Sequence, residues 1–317
     1  MNRCNDLERY LAIAIDFSPA QKKEHEMAAP QQTLTELNID KVLERTILDI
    51  GIPPCPDILN RFMNEVRKDE PDYNRLAHII GTDVGISAGL IKTANSAFFG
   101  LRQRVKSGTE ALAMLGIRAT SRAVAGIIIR NTFPNAPNLE RFWDASARIS
   151  HLSGWLTQHL DIRGLRAEDA HTFGLFRDCG IPVLLGRFKN YADVLEMANK
   201  ESERSFIEIE EIEIPANHAM VGWILAESWY LPKEICLAIG NHHNVMALEP
   251  DSSLPMMSRR LIATAQLAEH IMQHQLGQSI NQEWLKLGAA CLKLLDIEES
   301  QLDELYAEAE SIVASDE

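Results

Sequence analysis

The chain has 317 residues, 46% of them hydrophobic, and a formal net charge of −14. That length and apolar content suffice for a well-buried core in one large or two ordinary domains and exclude a disordered tail. So acidic a surface repels phosphate backbones, which disfavours generic binding to nucleic acid or to an anionic membrane.

The five cysteines are scattered and form no C-x-x-C pair, so reduced cytoplasmic thiols are expected rather than a disulfide framework or a zinc knuckle. Apolar stretches such as Ala123 to Ile129 fall far short of the roughly 20 residues of a membrane span. Met1 to Asp16 lacks a basic region followed by an apolar run, so no signal peptide is expected.

In chain order, Asp6 to Asp16 reads as a short helix and Gln21 to Gln32 as a polar linker. Leu34, Leu37, Val42, Leu43 and Ile47 predict a helix ending at Gly51, followed by the stiff connector Ile52-Pro53-Pro54-Cys55-Pro56. Ile58, Leu59, Phe62, Met63 and Val66 share the next helical face. Tyr73 to Ile80 predicts a short helix, and Asp83 caps another through Ala94. Ser107-x-x-Glu110 is a capping box for a helix ending at Gly116.

The second half predicts a long helix over 138–160 and further helices near 168–176, 191–199, 218–229, 233–243 and 256–275, with two more at the C-terminus. Phe206 to Ile214 alternates partly, as a strand does. With no partner strand nearby it is read as helix. The expected fold class is all-α, in two packed helical lobes. Residues 1–33 form an extension and linker, 34–135 an N-terminal lobe, 136–250 a second lobe, and 251–317 helices completing the bundle. Trp143, Trp155, Trp223 and Trp229 fall at core-compatible spacings.

No phosphate loop of the G-x-x-x-x-G-K-[ST] or G-x-G-x-x-G type occurs, and no G-x-S-x-G elbow. The residues with chemistry are His151, Asp178, His218, His242 and His243. Around them the sequence resembles a known family. Ile52 to Pro56, Asp83, the run Lys92 to Gly100 and Glu110-Ala111-Leu112-x-x-Leu115-Gly116 look like the HDOD domain. So do Phe142-Trp143, Gly174 to Gly180, His218-x-x-x-Gly222, Trp229-x-Leu231-Pro232 and His242-His243. The resemblance runs from Ile39 to Ala247 in consistent order.

HDOD domains are similar to HD and HD-GYP metal-dependent phosphohydrolases but serve as output or regulatory modules of bacterial signalling. The second lobe is therefore expected to be HD-like. The resemblance implies four metal positions. The first His falls on Ala145, the His of the His-Asp pair on Arg177, and the late Asp on Gln266; Asp178 alone remains. A guanidinium offers no lone pair and repels a dication. We therefore expect no metal and no cofactor, with the charge of a guanidinium, Arg177 or a neighbour, standing in beside Asp178. As neighbours on a helix, Arg177 and Asp178 are expected to pair with other groups. Asp178, His218, His242 and His243 are remnant metal candidates, read as hydrogen-bonded groups in a semi-buried cleft. Since adjacent helical residues diverge by about 100°, only one of His242 and His243 is expected to enter a shared site. His151 is read as a packing or surface histidine.

Candidate binding residues are Asn95 and Ser96, read first as a rigid helix–loop junction, and Arg118 and Arg122 in the basic stretch 102–130, with Arg177 and Asp178. The expected function is a non-enzymatic signalling module that binds a protein partner or a small ligand such as a nucleotide, without nucleic acid or membrane. The alternative is a divergent metal-dependent phosphohydrolase acting on nucleotides or cyclic dinucleotides, with His218, His242 or His243 as replacement ligands.

Overall fold

The computed structural model describes Pro53, residues 55–96, Phe99, 103–133 and 139–314. The helices expected over Asp6 to Asp16 and Leu34 to Ile47, the linker between them and Gly100 lie outside these residues. The described residues fall within a single compact unit, 47–317. Among them every regular element is helical and no strand occurs, so the all-α class holds.

Four helices build the first part: α1 (Asp57–Val66), α2 (Tyr73–Gly81), α3 (Val84–Ala94) and α4 (Gly108–Thr132). Their shared core is Phe62, Leu76, Ile79, Ile80, Leu90, Ala94, Val105, Ala111 and Leu112. Local chemistry sets the boundaries. Asp72 caps α2 by accepting from the amides of Asn74 and Arg75, and Asp83 caps α3 by accepting from Ile86. Ser107 caps α4 through the Glu110 amide at 3.1 Å. The reciprocal bond shifts by one residue, because the Glu110 carboxylate accepts from Lys106 at 2.7 Å.

Gly116 does not end the helix there. It interrupts α4 with φ 74° and ψ 169°, a backbone that glycine alone adopts cheaply, and the helix resumes to Thr132. Joined in this way, α4 is long and apolar enough by length and composition to cross a membrane, contrary to the reading of short apolar runs. Half of its most apolar window is buried within the protein, and α4 packs on α1, α2, α3 and α6 as a core helix.

The second part comprises α5 (Leu139–His159), α6 (Ala167–Phe176), α7 (Gly180–Arg187), α8 (Tyr191–Lys200), α9 (Phe206–Glu213), α10 (His218–Ser228) and α11 (Lys233–Asn241). Three helices come after it: α12 (Met256–Leu276), α13 (Glu283–Leu295) and α14 (Leu302–Ala314). The α9 segment is helical because Ser205 and Glu208 form a complete capping box and Phe206, Ile209 and Glu210 lie on one buried face. Trp143, Trp223 and Trp229 are buried, while Trp155 is half-buried and stacks on His159. α12 runs against α5, α11, α13 and α14.

Two close backbone approaches seat α6 and α7 against their neighbours. A Cβ on Gly174 would lie 2.7 Å from the Cα of Ser150, which sets the contact of α6 with α5. A Cβ on Gly180 would lie 2.1 Å from the carbonyl oxygen of His218 and 2.8 Å from the amide nitrogen of Gly222. The glycines of the two motif segments therefore let α7 and α10 meet backbone to backbone, which brings His218 up to the Asp178 turn.

Candidate metal centre

Asp178 sits in the turn between α6 and α7, and His218 is the first residue of α10. His242 is the residue that ends α11, and His243 lies just beyond it. Their donor atoms all lie within 4.8 Å of one another. The Nε2 atom of His218 is 3.2 Å from that of His242 and 3.0 Å from that of His243. Oδ1 of Asp178 lies 3.2 Å from Nε2 of His242 and 3.6 Å from Nε2 of His218. Both histidines of the adjacent pair thus enter one site, which corrects the expectation of a 100° divergence. The helix ends at Asn241, so helical geometry does not govern the pair.

The other ring nitrogen of each histidine is committed. Nδ1 of His242 faces the carbonyl oxygen of Ile239 at 2.7 Å, and Nδ1 of His218 faces Oε2 of Glu210 at 2.8 Å. Nδ1 of His243 faces the Glu283 carboxylate. A carbonyl and two carboxylates accept hydrogen bonds, so each Nδ1 carries the proton and each Nε2 presents a lone pair to the centre. Three lone pairs and a carboxylate oxygen, with neighbouring donors 3.0–3.6 Å apart, repel one another unless a proton or a metal ion lies among them. Donors about 2.0–2.1 Å from a zinc-like ion, in tetrahedral or octahedral directions, are themselves about 3 Å apart. Against the expectation of no metal, the donor set fits a single transition-metal ion, with Glu210, Ile239 and Glu283 orienting the ligands as such sites require.

The site is closed. The side chains of His218, His242 and His243 are 0%, 3% and 8% exposed, and that of Asp178 18%. Burial raises the Asp178 pKa, but Arg177 and His242 outweigh it and hold the carboxyl well below the usual range. Burial lowers the His243 pKa to about 4, with His242 adding to the effect. Burial also raises the Tyr191 hydroxyl, which donates to Glu210.

Arg177 occupies the other side of Asp178. Its Nε donates to Oδ2 of Asp178 at 3.0 Å, and its Nη2 lies 2.6 Å from Oε1 of Glu269. The two residues thus face each other, which corrects the expectation that helical neighbours would not. Each also finds another partner as expected, Glu269 for Arg177 and His242 for Asp178. Arg177 caps the end of α6 and Asp178 lies in the turn just after it, so they turn towards each other. Gln266, at the position of the late Asp, is buried and donates to Glu269 at 3.3 Å. Ala145 lies on α5 and contributes no donor.

The remaining candidates lie elsewhere. Asn95 brackets the backbone of Val105, donating to its oxygen at 3.0 Å and accepting from its amide at 2.9 Å. Ser96 donates to the carbonyl of Thr93. Both close the α3–α4 connection. Arg122 is held by buried Asp169 and lines a cavity between α3 and α6; Arg118 does not line it. His151 lines the same cavity beside His171. Sequence reasoning missed Glu210, Glu269 and Glu283. Glu210 alone left a signal, as an acid in phase with Phe206 and Ile209 on the apolar face of α9.

The sequence matches the HDOD domain over residues 52–245. The chain belongs to the HDOD domain family. An HDOD domain protein of unknown function from Geobacter sulfurreducens shares the fold with a TM-score of 0.61 and 19% identity, over 88% of this chain and 98% of that one. A protein named as a phosphohydrolase from Shewanella amazonensis SB2B superposes with a TM-score of 0.63 at 18% identity, over 85% of this chain and 96% of that one. An uncharacterized protein of Treponema pallidum is 24% identical over 213 residues, 65% of this HDOD chain. That match spans 40% of the relative's own length.

Proposed function

We propose that this HDOD protein is a non-catalytic regulatory module that acts by engaging a protein partner and whose second half is locked by one bound metal ion. Asp178, His218, His242 and His243 would hold the ion. When bound, it supplies a fixed positive charge joining the α6–α7 turn to α10 and the end of α11. The observation that carries the reading is Arg177. A two-metal hydrolytic site would need a second cation beside Asp178, and the guanidinium fills that place and is itself neutralised by Glu269. On a tetrahedral ion, four protein donors with little exposure leave no open position for water or a phosphoester, as befits a structural rather than a catalytic site.

The convergence of three imidazoles favours a second reading, a divergent one-metal phosphohydrolase acting on nucleotides or cyclic dinucleotides. The two are separated by purifying the protein without chelator, counting the metal by elemental analysis, and assaying phosphodiesterase activity with manganese, iron and magnesium. The regulatory reading expects about one equivalent of metal and no turnover. Turnover that disappears in Asp178→Ala would overturn it. A partner pull-down with wild type and with an Asp178→Ala, His218→Ala variant then tests whether the locked half carries the interaction.

A further inference from the structure

A cavity of about 530 Å³ opens between α3, the part of α4 beyond Gly116, α5 and α6. None of the four metal-centre residues lines it. Its volume lies within the roughly 300–1,000 Å³ of small-molecule sites. Small residues on two helices keep it open, Gly85 and Gly89 on α3 and Ala119 and Ala123 on α4.

Apart from Arg148 on α5, its charges are sorted by wall. Arg122 pairs with Asp169, which Arg166 also engages, and Arg148 donates to the carbonyl of Val313 while keeping its charge. Lys92 on α3 and Arg130 on α4 have no carboxylate at ion-pair distance among the described residues. The acids lining the cavity, Asp144 and Glu168, come from the opposite helices α5 and α6. On that acidic side the rings of His151 and His171 lie 5.3 Å apart. The cavity therefore offers, at one wall, two cations with no ion-pair partner among the described residues, and at the other two carboxylates and an aromatic surface beside Arg148.

We propose that this cavity binds a small organic phosphate of about nucleoside-monophosphate size. Lys92 and Arg130 hold the phosphate, and Asp144 and Glu168 accept from hydroxyl or amino groups of the ligand. An apolar ligand would use none of these charged groups, and a bare inorganic ion would leave most of the volume and the acidic wall unused. This goes beyond the regulatory reading, since it gives the module an input separate from the metal centre.

The test is calorimetric titration and thermal shift of the full chain with AMP, GMP and ribose 5-phosphate, with adenosine and guanosine as uncharged counterparts. Saturable binding of at least one phosphate is expected, weakening as salt is raised and falling by roughly tenfold or more in Lys92→Ala, Arg130→Ala. Both side chains are exposed, so the variant is expected to keep the circular dichroism of the wild type. The salt dependence of the wild type tests the same contact without any substitution. Binding of none of the three phosphates, binding of a nucleoside as tight as its phosphate, or undiminished binding by the double variant would each overturn the assignment.

Discussion

The two oxygens of Asp178 serve two different cation positions: Oδ2 accepts from Nε of Arg177 at 3.0 Å, while Oδ1 faces Nε2 of His242 at 3.2 Å. One carboxylate thus joins a permanent guanidinium to a three-histidine centre. Arg177 is 7% exposed and also meets Glu269, so its removal leaves two nearly buried acids without their counter-charge. Arg177→Ala is expected to cost about 3–5 kcal/mol in denaturant unfolding. Arg177→Met with Glu269→Leu should cost much less than the sum of the single changes, because the pair then disappears together. Additive costs would show that the two residues do not act as a pair.

The outer acids make a sharper test of the metal centre than the ligands do. Glu210→Gln and Glu283→Gln keep the size of the side chain but remove the charge that fixes the Nδ1 proton of His218 and of His243. Each is expected to weaken metal binding by about 10–100-fold, read by competition with a chelator. Binding should also weaken as pH falls, because the ligating imidazoles must be neutral. Burial opposes protonation of His218, but the Glu210 carboxylate outweighs it and holds its pKa above the ordinary value, so His218 is the first ligand at which a proton competes with the ion. Affinities equal to wild type in both variants would remove the case for these acids as orienting groups.

Much of this fold was legible because helical periodicity, caps and glycines act locally. Asp83 and Ser107 each start a helix where the sequence places a cap, and Ser205 with Glu208 resolves the 206–214 segment in favour of helix. The centre was only half legible. The loss of ligands at Ala145, Arg177 and Gln266 is visible residue by residue. The convergence of His242 with His243 is not, because it depends on the helix stopping at Asn241 rather than running through them. Glu283 reaches His243 from 40 positions away, and no local pattern announces such a contact.

Two glycines on α7 should respond in opposite ways to the same change. In Gly180→Ala the new methyl would stand 2.1 Å from the His218 carbonyl and 2.8 Å from the Gly222 amide nitrogen, both backbone atoms that cannot swing aside. The expected loss is roughly 3 kcal/mol or more, with weakened metal binding because α10 is pushed from Asp178. Nothing lies within 4 Å of a Cβ on Gly186, so Gly186→Ala should stabilise by about 0.5–1 kcal/mol. Melting temperatures of the two variants check both signs. A neutral Gly180→Ala would mean that the α7–α10 contact is looser than described.

The C-terminal helices carry their own acid sensitivity. His270 on α12 stacks on Trp284 of α13 with ring centroids 4.0 Å apart, and its Nε2 accepts from the Tyr306 hydroxyl of α14 at 2.7 Å. Burial lowers its pKa to about 4, and the charge of His274 adds to this. A histidine in the unfolded chain titrates near 6.5. Between these values the unfolded chain takes up a proton that the folded protein does not, so stability rises with pH across the window. The contribution is complete above about 6.5 and is lost progressively as pH falls towards 4. Because the ring is half-exposed, the loss is discounted to the order of 1–2 kcal/mol. His270→Gln keeps an acceptor for Tyr306 but has no proton to gain. Its unfolding free energy should therefore fall less steeply than that of the wild type between pH 6.5 and 4, with the difference vanishing above pH 7. Parallel pH profiles for the two proteins would show that His270 does not carry this dependence.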